Sequence, residues 1–252
     1  MDAKDLYLDL LAKSLTNTFF ADEPDPDQES QAQYVKGFIE HYISGTAITM
    51  LPMARMRNLR HCVVDTIKNN VPGDLIETGV WRGGATIYMR AILKAYNITD
   101  KTVWVADSFE GLPEPDSELN PIEYKAFKGP VMTKVYKHFA VGLDEVKRNF
   151  AAYDLLDEQV QFLKGWFKDT LPDAPIKSLS VLRLDGDFYE STIDSLNNLY
   201  PKLSRGGYLI IDDYGEESWT ECKRAVEEYR AKHGIKDELI RVDSNCYYCQ
   251  RS

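Results

Sequence analysis

The sequence predicts an α/β fold with a mostly parallel sheet, and three observations carry that prediction. From Asp74 onward, short apolar runs alternate with amphipathic segments of helix length, as βαβ units require. Several of those runs close on an acid at a turn, as in DLIETG, TVWVADS, LSVLRLDGD and GYLIIDD. The chain has 252 residues, 44% of them hydrophobic, enough for one sizeable core and too few for two ordinary ones.

The elements follow in order. Residues from about Lys4 to Phe20 carry Leu6, Leu10, Leu11 and Leu15 at helical spacing, and ADEPDPDQES after them reads as a mobile loop. A second helix, about Met53 to Asn69, stops at Pro72-Gly73. DLIETG is then a strand, GGATIYMRAILKAYN a helix and TVWVADSF the second strand. Glu110 to Val141 is long, polar and aromatic with few pattern cues, and reads as an irregular insertion that lids a site. LDEVKRNFAAYDLL is a helix, VQFLKGWF a third strand, LSVLRLDGD a fourth, STIDSLNNLYPKL a helix and GYLIIDDYG a fifth strand. The helix WTECKRAVEEYRAKHG precedes an antiparallel pair, ELIRVD and CYYCQR, turning at Ser244 and Asn245. This divides the chain into an N-terminal helical lid segment over 1–70 and a main domain over 71–252, with the insertion near 110–141.

Composition removes several classes of function. Forty acidic against thirty basic residues leave a net charge of -10, which argues against nucleic acid and against anionic membrane as partners. No stretch approaches the roughly 18 to 20 apolar residues of a membrane helix. The start MDAKDLYLDLLAK is acidic and amphipathic, unlike a secretory leader, so a cytoplasmic location is expected. Cys62, Cys222, Cys246 and Cys249 are too few for a disulfide framework, and CYYC has no second pair to complete a zinc site. His41, His61 and His233 have no supporting pattern and read as structural or exposed.

In an open α/β sheet the ligand lies outside the carboxyl ends of the strands. The first strand ends in Glu77 and runs into a turn holding Gly79, Gly83 and Gly84, where missing side chains let a ligand approach the backbone. The second ends in Asp107, whose carboxylate can accept bonds from both hydroxyls of a ribose. Helix capping would explain either acid singly; with the glycines they favour an adenosine-containing cofactor. ETGVWRGGAT lacks the lysine of a phosphate-binding loop, and GVWRGG lacks the GxGxxG spacing of a dinucleotide turn. S-adenosylmethionine, which has no phosphate and bears a cationic sulfonium, fits better. Trp166 and Phe167, after the third strand, are placed to flank an adenine or to join the core.

The fourth strand ends in Asp185-Gly-Asp187 and the fifth in Asp212-Asp213. The crossover rule makes these strands parallel neighbours, so their acidic tips converge. Three or four carboxylates so placed repel unless protonated or bridged, and oxygen-only ligands select a hard cation such as Mg2+ or Ca2+. Spacing alone does not say which of the aspartates ligate. His138, in the insertion, could take a hydroxyl proton or be a plain surface histidine.

ETGVWRGG, ADSFEGLP, GWFKDTLP, LRLDGDFYEST and GGYLIIDDY together resemble the macrocin O-methyltransferase family, as does TMLPMARMRNL near residue 50, so the likeness covers nearly the whole chain. The resemblance implies a Rossmann-like class I methyltransferase sheet with a final antiparallel strand. It also implies transfer of a methyl group from S-adenosylmethionine, with Mg2+, to a hydroxyl, usually of a sugar on a secondary metabolite. Carried over by motif, Thr49 and Met50 meet the amino acid end of the cofactor, and Glu77, Thr78, Gly79, Val80 and Trp81 form the turn beneath it. Asp107 takes the ribose, with Ser108, Phe109, Glu110 and Gly111 beside it. Asp185, Asp212 and Asp213 correspond to the metal ligands and Asp187 does not. Asp185 is the first candidate for the base and His138 the second.

The expected acceptor is a small-molecule glycoside or a nucleotide-linked sugar. The aromatic residues Phe109, Tyr124, Phe127 and Tyr136 near the lid make a phenolic or catechol hydroxyl the alternative, and a catalytically idle nucleoside-binding partner is a third reading. The resemblance also implies a homo-oligomer joined through the N-terminal helices. The ending NCYYCQRS departs from the aromatic VYW-type ending of relatives.

Overall fold

The computed structural model describes residues 2–19, 31–43, 45–129, 137–215 and 220–252. The ADEPDPDQES stretch, residues 21–30, and Tyr136 lie outside them. The sheet has seven strands: β1 (Asp74–Thr78), β2 (Val103–Asp107), β3 (Val160–Lys164), β4 (Leu179–Leu184), β5 (Leu203–Ile211), β6 (Ile240–Arg241) and β7 (Tyr247–Gln250). Their spatial order is β3-β2-β1-β4-β5-β7-β6. The first five are parallel; β7 runs antiparallel to β5, and β6 antiparallel to β7. β4 is wholly buried and β1 is buried from Leu75 onward, as parallel strands covered on both faces must be.

The helices are α1 (Ala3–Thr16), α2 (Gln31–Phe38), α3 (Met53–Lys68), α4 (Gly84–Ala95), α5 (Pro121–Phe127), α6 (Leu143–Ala152), α7 (Phe167–Thr170), α8 (Tyr189–Leu199) and α9 (Thr220–His233). Among the described residues no helix is long and apolar enough to cross a membrane. α1 and α3 pack on α4, and one apolar cluster takes Leu8, Leu11 and Leu15 from α1, Met56 and Leu59 from α3, and Ile87 and Leu93 from α4. α1 and α3 therefore share a core with the sheet.

Several expectations change in detail. α1 ends at Thr16 because Asn17 turns left-handed (φ 58°) and its N–H closes on Lys13 and Ser14 carbonyls. Its buried stripe is Leu8, Leu11, Ala12 and Leu15, while Leu6 and Leu10 are exposed. α2, extended by a π-helical turn over Ile39–Ile43, had no counterpart in the sequence reading. The third strand stops at Lys164, two residues before Trp166 caps α7, and the insertion contains α5. The C-terminal strands are shorter than ELIRVD and CYYCQR, because Asp243 Oδ1 accepts the N–H groups of Asn245 (2.9 Å) and Cys246 (2.8 Å) and bends the chain early.

Candidate active site

The carboxyl ends of β1, β2, β4 and β5 carry Glu77, Asp107, Asp185, Asp212 and Asp213. Parallel pairing runs one residue beyond the strands: Gly79 N–H donates to the Ala106 carbonyl, Asp185 N–H to Thr78 and Asp212 N–H to Leu184. Each tip is thus held in line with its neighbour. Gly79 sits at φ 88°, and a Cβ there would lie 1.7 Å from the Asp185 carbonyl oxygen, so the turn after β1 admits glycine alone. Gly84 serves close approach, since a Cβ on it would stand 2.6 Å from both the Ile48 carbonyl and the Thr49 side chain.

Asp107 ties the β1 turn to the β2 turn. Its Oδ2 accepts the Val80 N–H at 2.8 Å and its Oδ1 the Phe109 N–H at 2.7 Å. Burial raises its pKa from the ordinary aspartate value, and those N–H donors oppose the rise. Ser108 Oγ donates to the Gly111 carbonyl at 2.8 Å and accepts the Glu110 N–H at 3.0 Å, which curls the segment back over the strand end.

A cavity of about 650 Å3 opens there, with Gly79, Asp107, Ser108, Trp166, Phe167 and Asp185 among its walls. A smaller one of about 80 Å3 is lined by Met50, Trp81, Phe139, Asp185 and Asp187 and shares Gly79, Asp107 and Gly111 with the first. Together they form a trough across the strand ends, aromatic at the β3 side and acidic at the β4 side.

The predicted residues divide into walls and supports. Gly79, Trp81, Met50, Asp107, Ser108, Gly111, Trp166 and Asp185 line the trough. Glu77, Thr78, Val80 and Phe109 are buried and line neither cavity. Side chains alternate along a strand, so half of any strand-end motif faces the core; Phe109 packs on Phe162 with ring centroids 6.4 Å apart. Thr49 is buried and its Oγ1 accepts the Leu51 N–H at 3.1 Å, while Glu110 is exposed. His138 is exposed and lines neither cavity; its backbone carbonyl accepts the Trp81 indole N–H at 2.9 Å.

Among the described residues, the one group of acids arranged to hold a metal is Asp185, Asp212 and Asp213, with one oxygen of each within 4.8 Å of the others. Asp187 falls outside it. Asp213 Oδ2 is buried with no hydrogen-bond partner among the described residues. Burial, with Asp187, Asp185 and Asp212 adding, pushes Asp213 well above the usual carboxylate range. Burial also takes Asp185 up to about 6 against the pull of Arg183, and Asp212 adds to the rise. An orphaned buried oxygen among three mutually repelling carboxylates fits a hard divalent cation.

Two arginines that the sequence reading passed over hold these acids in place. Arg183, on β4, is 1% exposed and ion-paired with Glu77, Asp185 and Asp212. Register explains the first pairing, since Glu77 and Arg183 are opposite residues of β1 and β4. Glu77 is thereby a support for the acidic tips; burial pushes its carboxyl up to about 8 despite Arg183, with Asp185 and Asp212 contributing. Arg55, from the first turn of α3, reaches Asp212 and Asp243. An arginine in LSVLRL, the one charged residue of a mostly apolar strand, was the readable signal for Arg183. Nothing local distinguished Arg55 from Arg57 and Arg60.

This sheet order, with a closing antiparallel strand and an acid-lined trough at the strand ends, defines a class I methyltransferase. The macrocin-O-methyltransferase (TylF) family model matches residues 40–251, and the chain belongs to that family. Demethyldecarbamoylnovobiocin O-methyltransferase of Streptomyces niveus is 50% identical over 98% of this chain and 94% of its own. A 45% identical relative from Streptomyces olivaceus is named as the 4'-O-methyltransferase of 8-demethyl-8-(2,3-dimethoxy-alpha-L-rhamnosyl)-tetracenomycin C, and the match covers 96% of this chain and 91% of that one. The solved structure of the O-methyltransferase NovP superposes with a TM-score of 0.86 at 50% identity, covering 99% of both chains. The protein is an S-adenosylmethionine-dependent O-methyltransferase acting on a small molecule.

Proposed function

We propose that the enzyme methylates a hydroxyl on the sugar of a glycosylated natural product, of the kind made in antibiotic biosynthesis, and that it does so with Mg2+ held by Asp185, Asp212 and Asp213. The observation that carries the reading is the convergence of those three carboxylates beside the trough. The rhamnosyl acceptor in the name of the Streptomyces olivaceus relative supports the sugar. Among the described residues, the larger cavity is lined by Glu114, Asp116, Glu190 and Asp194 and by one cation, Lys168. Such walls repel a nucleoside diphosphate, which favours a finished glycoside over a nucleotide-linked sugar.

In this reading Asp107 accepts the ribose hydroxyls, Trp166 and Phe167 flank the adenine, and the turn at Gly79 together with Thr49 and Met50 receives the amino acid end. Bound Mg2+ supplies Lewis acidity that makes the acceptor hydroxyl more acidic. Asp185, on the wall of both cavities, takes the hydroxyl proton while the methyl group passes from sulfur to oxygen. The sulfonium charge is lost in that step, and S-adenosylhomocysteine and the methyl ether leave. The exposed ring of His138 lines neither cavity and ranks second. Self-association through the N-terminal helices is part of the same reading, supported by the exposed Leu6, Tyr7 and Leu10 of α1; a monomer by light scattering would end it. The four cysteines, all free, support a cytoplasmic setting.

The test is calorimetric titration of S-adenosylhomocysteine and then Mg2+ into metal-stripped protein, beside Asp212→Asn. Wild type is expected to bind both ligands. The variant should keep the cofactor product, lose Mg2+ affinity by at least about tenfold and lose turnover. Equal Mg2+ binding in both proteins would refute the metal assignment. Turnover of catechols alone, in a panel of glycosides and catechols, would refute the sugar.

A further inference from the structure

We propose that Arg55 is a positioning residue for the metal centre: it locks the Asp212 carboxylate, is itself aimed by Asp243, and so sets the site's preference for a small cation. This rests on the metal reading above. Arg55 stands between two acids from distant parts of the chain. Its Nε donates to Asp243 Oδ2 at 2.7 Å and its Nη2 to Asp243 Oδ1 at 3.2 Å, a two-point fork that fixes the guanidinium plane. The remaining Nη1 then points at Asp212 Oδ2, 2.6 Å away. Asp243 cannot drift, because its Oδ1 also accepts the N–H groups of Asn245 and Cys246.

On the opposite side Arg183 donates to Asp212 Oδ1. Both oxygens of Asp212 are therefore held by cations from two different elements, and its plane cannot turn without breaking a buried charge-assisted bond. A carboxylate oxygen has two lone-pair sites, so an oxygen held in this way can still ligate. Asp185 and Asp213 are held less: Asp185 is paired with Arg183, and Asp213 Oδ2 has no partner among the described residues. Asp212 is the rigid member of the three. Mg2+ demands near-ideal octahedral geometry, whereas Ca2+ accepts more ligands in looser arrangements, so a rigid ligand discriminates against the larger ion. Through Arg55 and Asp243, the start of α3 and the β6–β7 turn both become parts of the metal centre.

The experiment is separate calorimetric titration of Mg2+ and Ca2+ into the full chain saturated with S-adenosylhomocysteine, for wild type, Arg55→Lys and Asp243→Asn. Lysine keeps the charge and loses the fork, so a change in ion preference reports geometry and not net charge. In Arg55→Lys the Mg2+ dissociation constant is expected to rise about tenfold or more and the Ca2+ constant by less than about threefold. Asp243→Asn should shift the ratio in the same direction by a smaller factor, and it carries the test if Arg55→Lys does not fold. Unchanged constants, or equal changes for the two ions, would overturn the inference while leaving the metal reading intact. Failure of the wild type to bind Mg2+ would overturn the metal reading and this inference with it.

Discussion

Arg183 sits among apolar residues of β4 with its side chain out of water, and its charge is matched by Glu77, Asp185 and Asp212. Removing one partner from such a cluster costs several kcal/mol, because the others stay buried and unbalanced. The acidic tips are therefore a single electrostatic unit, and a change at one is felt by all. Asp107 stands apart from it. Among the described residues no arginine pairs with it, and its oxygens hold the backbone of two turns. Asp107→Ala is accordingly expected to weaken S-adenosylhomocysteine binding on the order of 100-fold, the worth of two charge-assisted bonds, while Mg2+ affinity stays within about threefold. Calorimetry on the two ligands separately checks this, and normal cofactor affinity would overturn the ribose role. The acids at these tips were legible in the sequence because each closes an apolar run. Which of them wall the trough and which pair with Arg183 was not, and Asp185 does both, since this depends on how β1 and β4 align.

At the scale of elements, α5, within the insertion, is attached by polar groups, which explains why its segment had no apolar pattern to read. Asn120 is buried; its Nδ2 donates to Glu190 Oε1 at 2.5 Å and its Oδ1 accepts from Arg224 on α9. Glu123 Oε1 accepts the N–H of Tyr189, the first residue of α8, at 3.1 Å. Burial pushes Glu123 up to about 8 from 4.5; the Tyr189 N–H opposes, Glu190 and Glu221 add, and Arg224 opposes. A folded pKa above the unfolded one means that the folded state binds the extra proton. Stability from this group is complete below about 4.5 and is lost as pH rises through about 8. Glu123→Gln keeps a neutral acceptor for Tyr189 and should remove that slope, leaving the variant about 1 kcal/mol more stable than wild type at pH 8.5 after allowance for solvent screening. Thermal unfolding from pH 5 to 8.5 measures it, and parallel curves for the two proteins would contradict the buried-acid account.

For the whole molecule, α1 and α3 are built into the core that the sheet and α4 share. Leu8→Ala should therefore cost about 3 kcal/mol in one cooperative unfolding transition, whereas Leu10→Ala, on the exposed face, should stay within about 0.5 kcal/mol. A separate early transition for Leu8→Ala would show that α1 unfolds apart from the sheet. The sequence by itself determined the parallel sheet, the order of its strands and helices, the glycine turn after β1 and the acids at the strand ends. Those features are written in local periodicity and in residues that only certain turns accept. Tertiary structure alone decided which stripe of α1 is buried, that α2 and α5 exist, that Glu77 supports the site from beneath, and that Arg55 reaches Asp212 across 157 positions of chain. Each of these turns on which surface comes to lie opposite a residue, and that is set by packing between segments far apart in sequence.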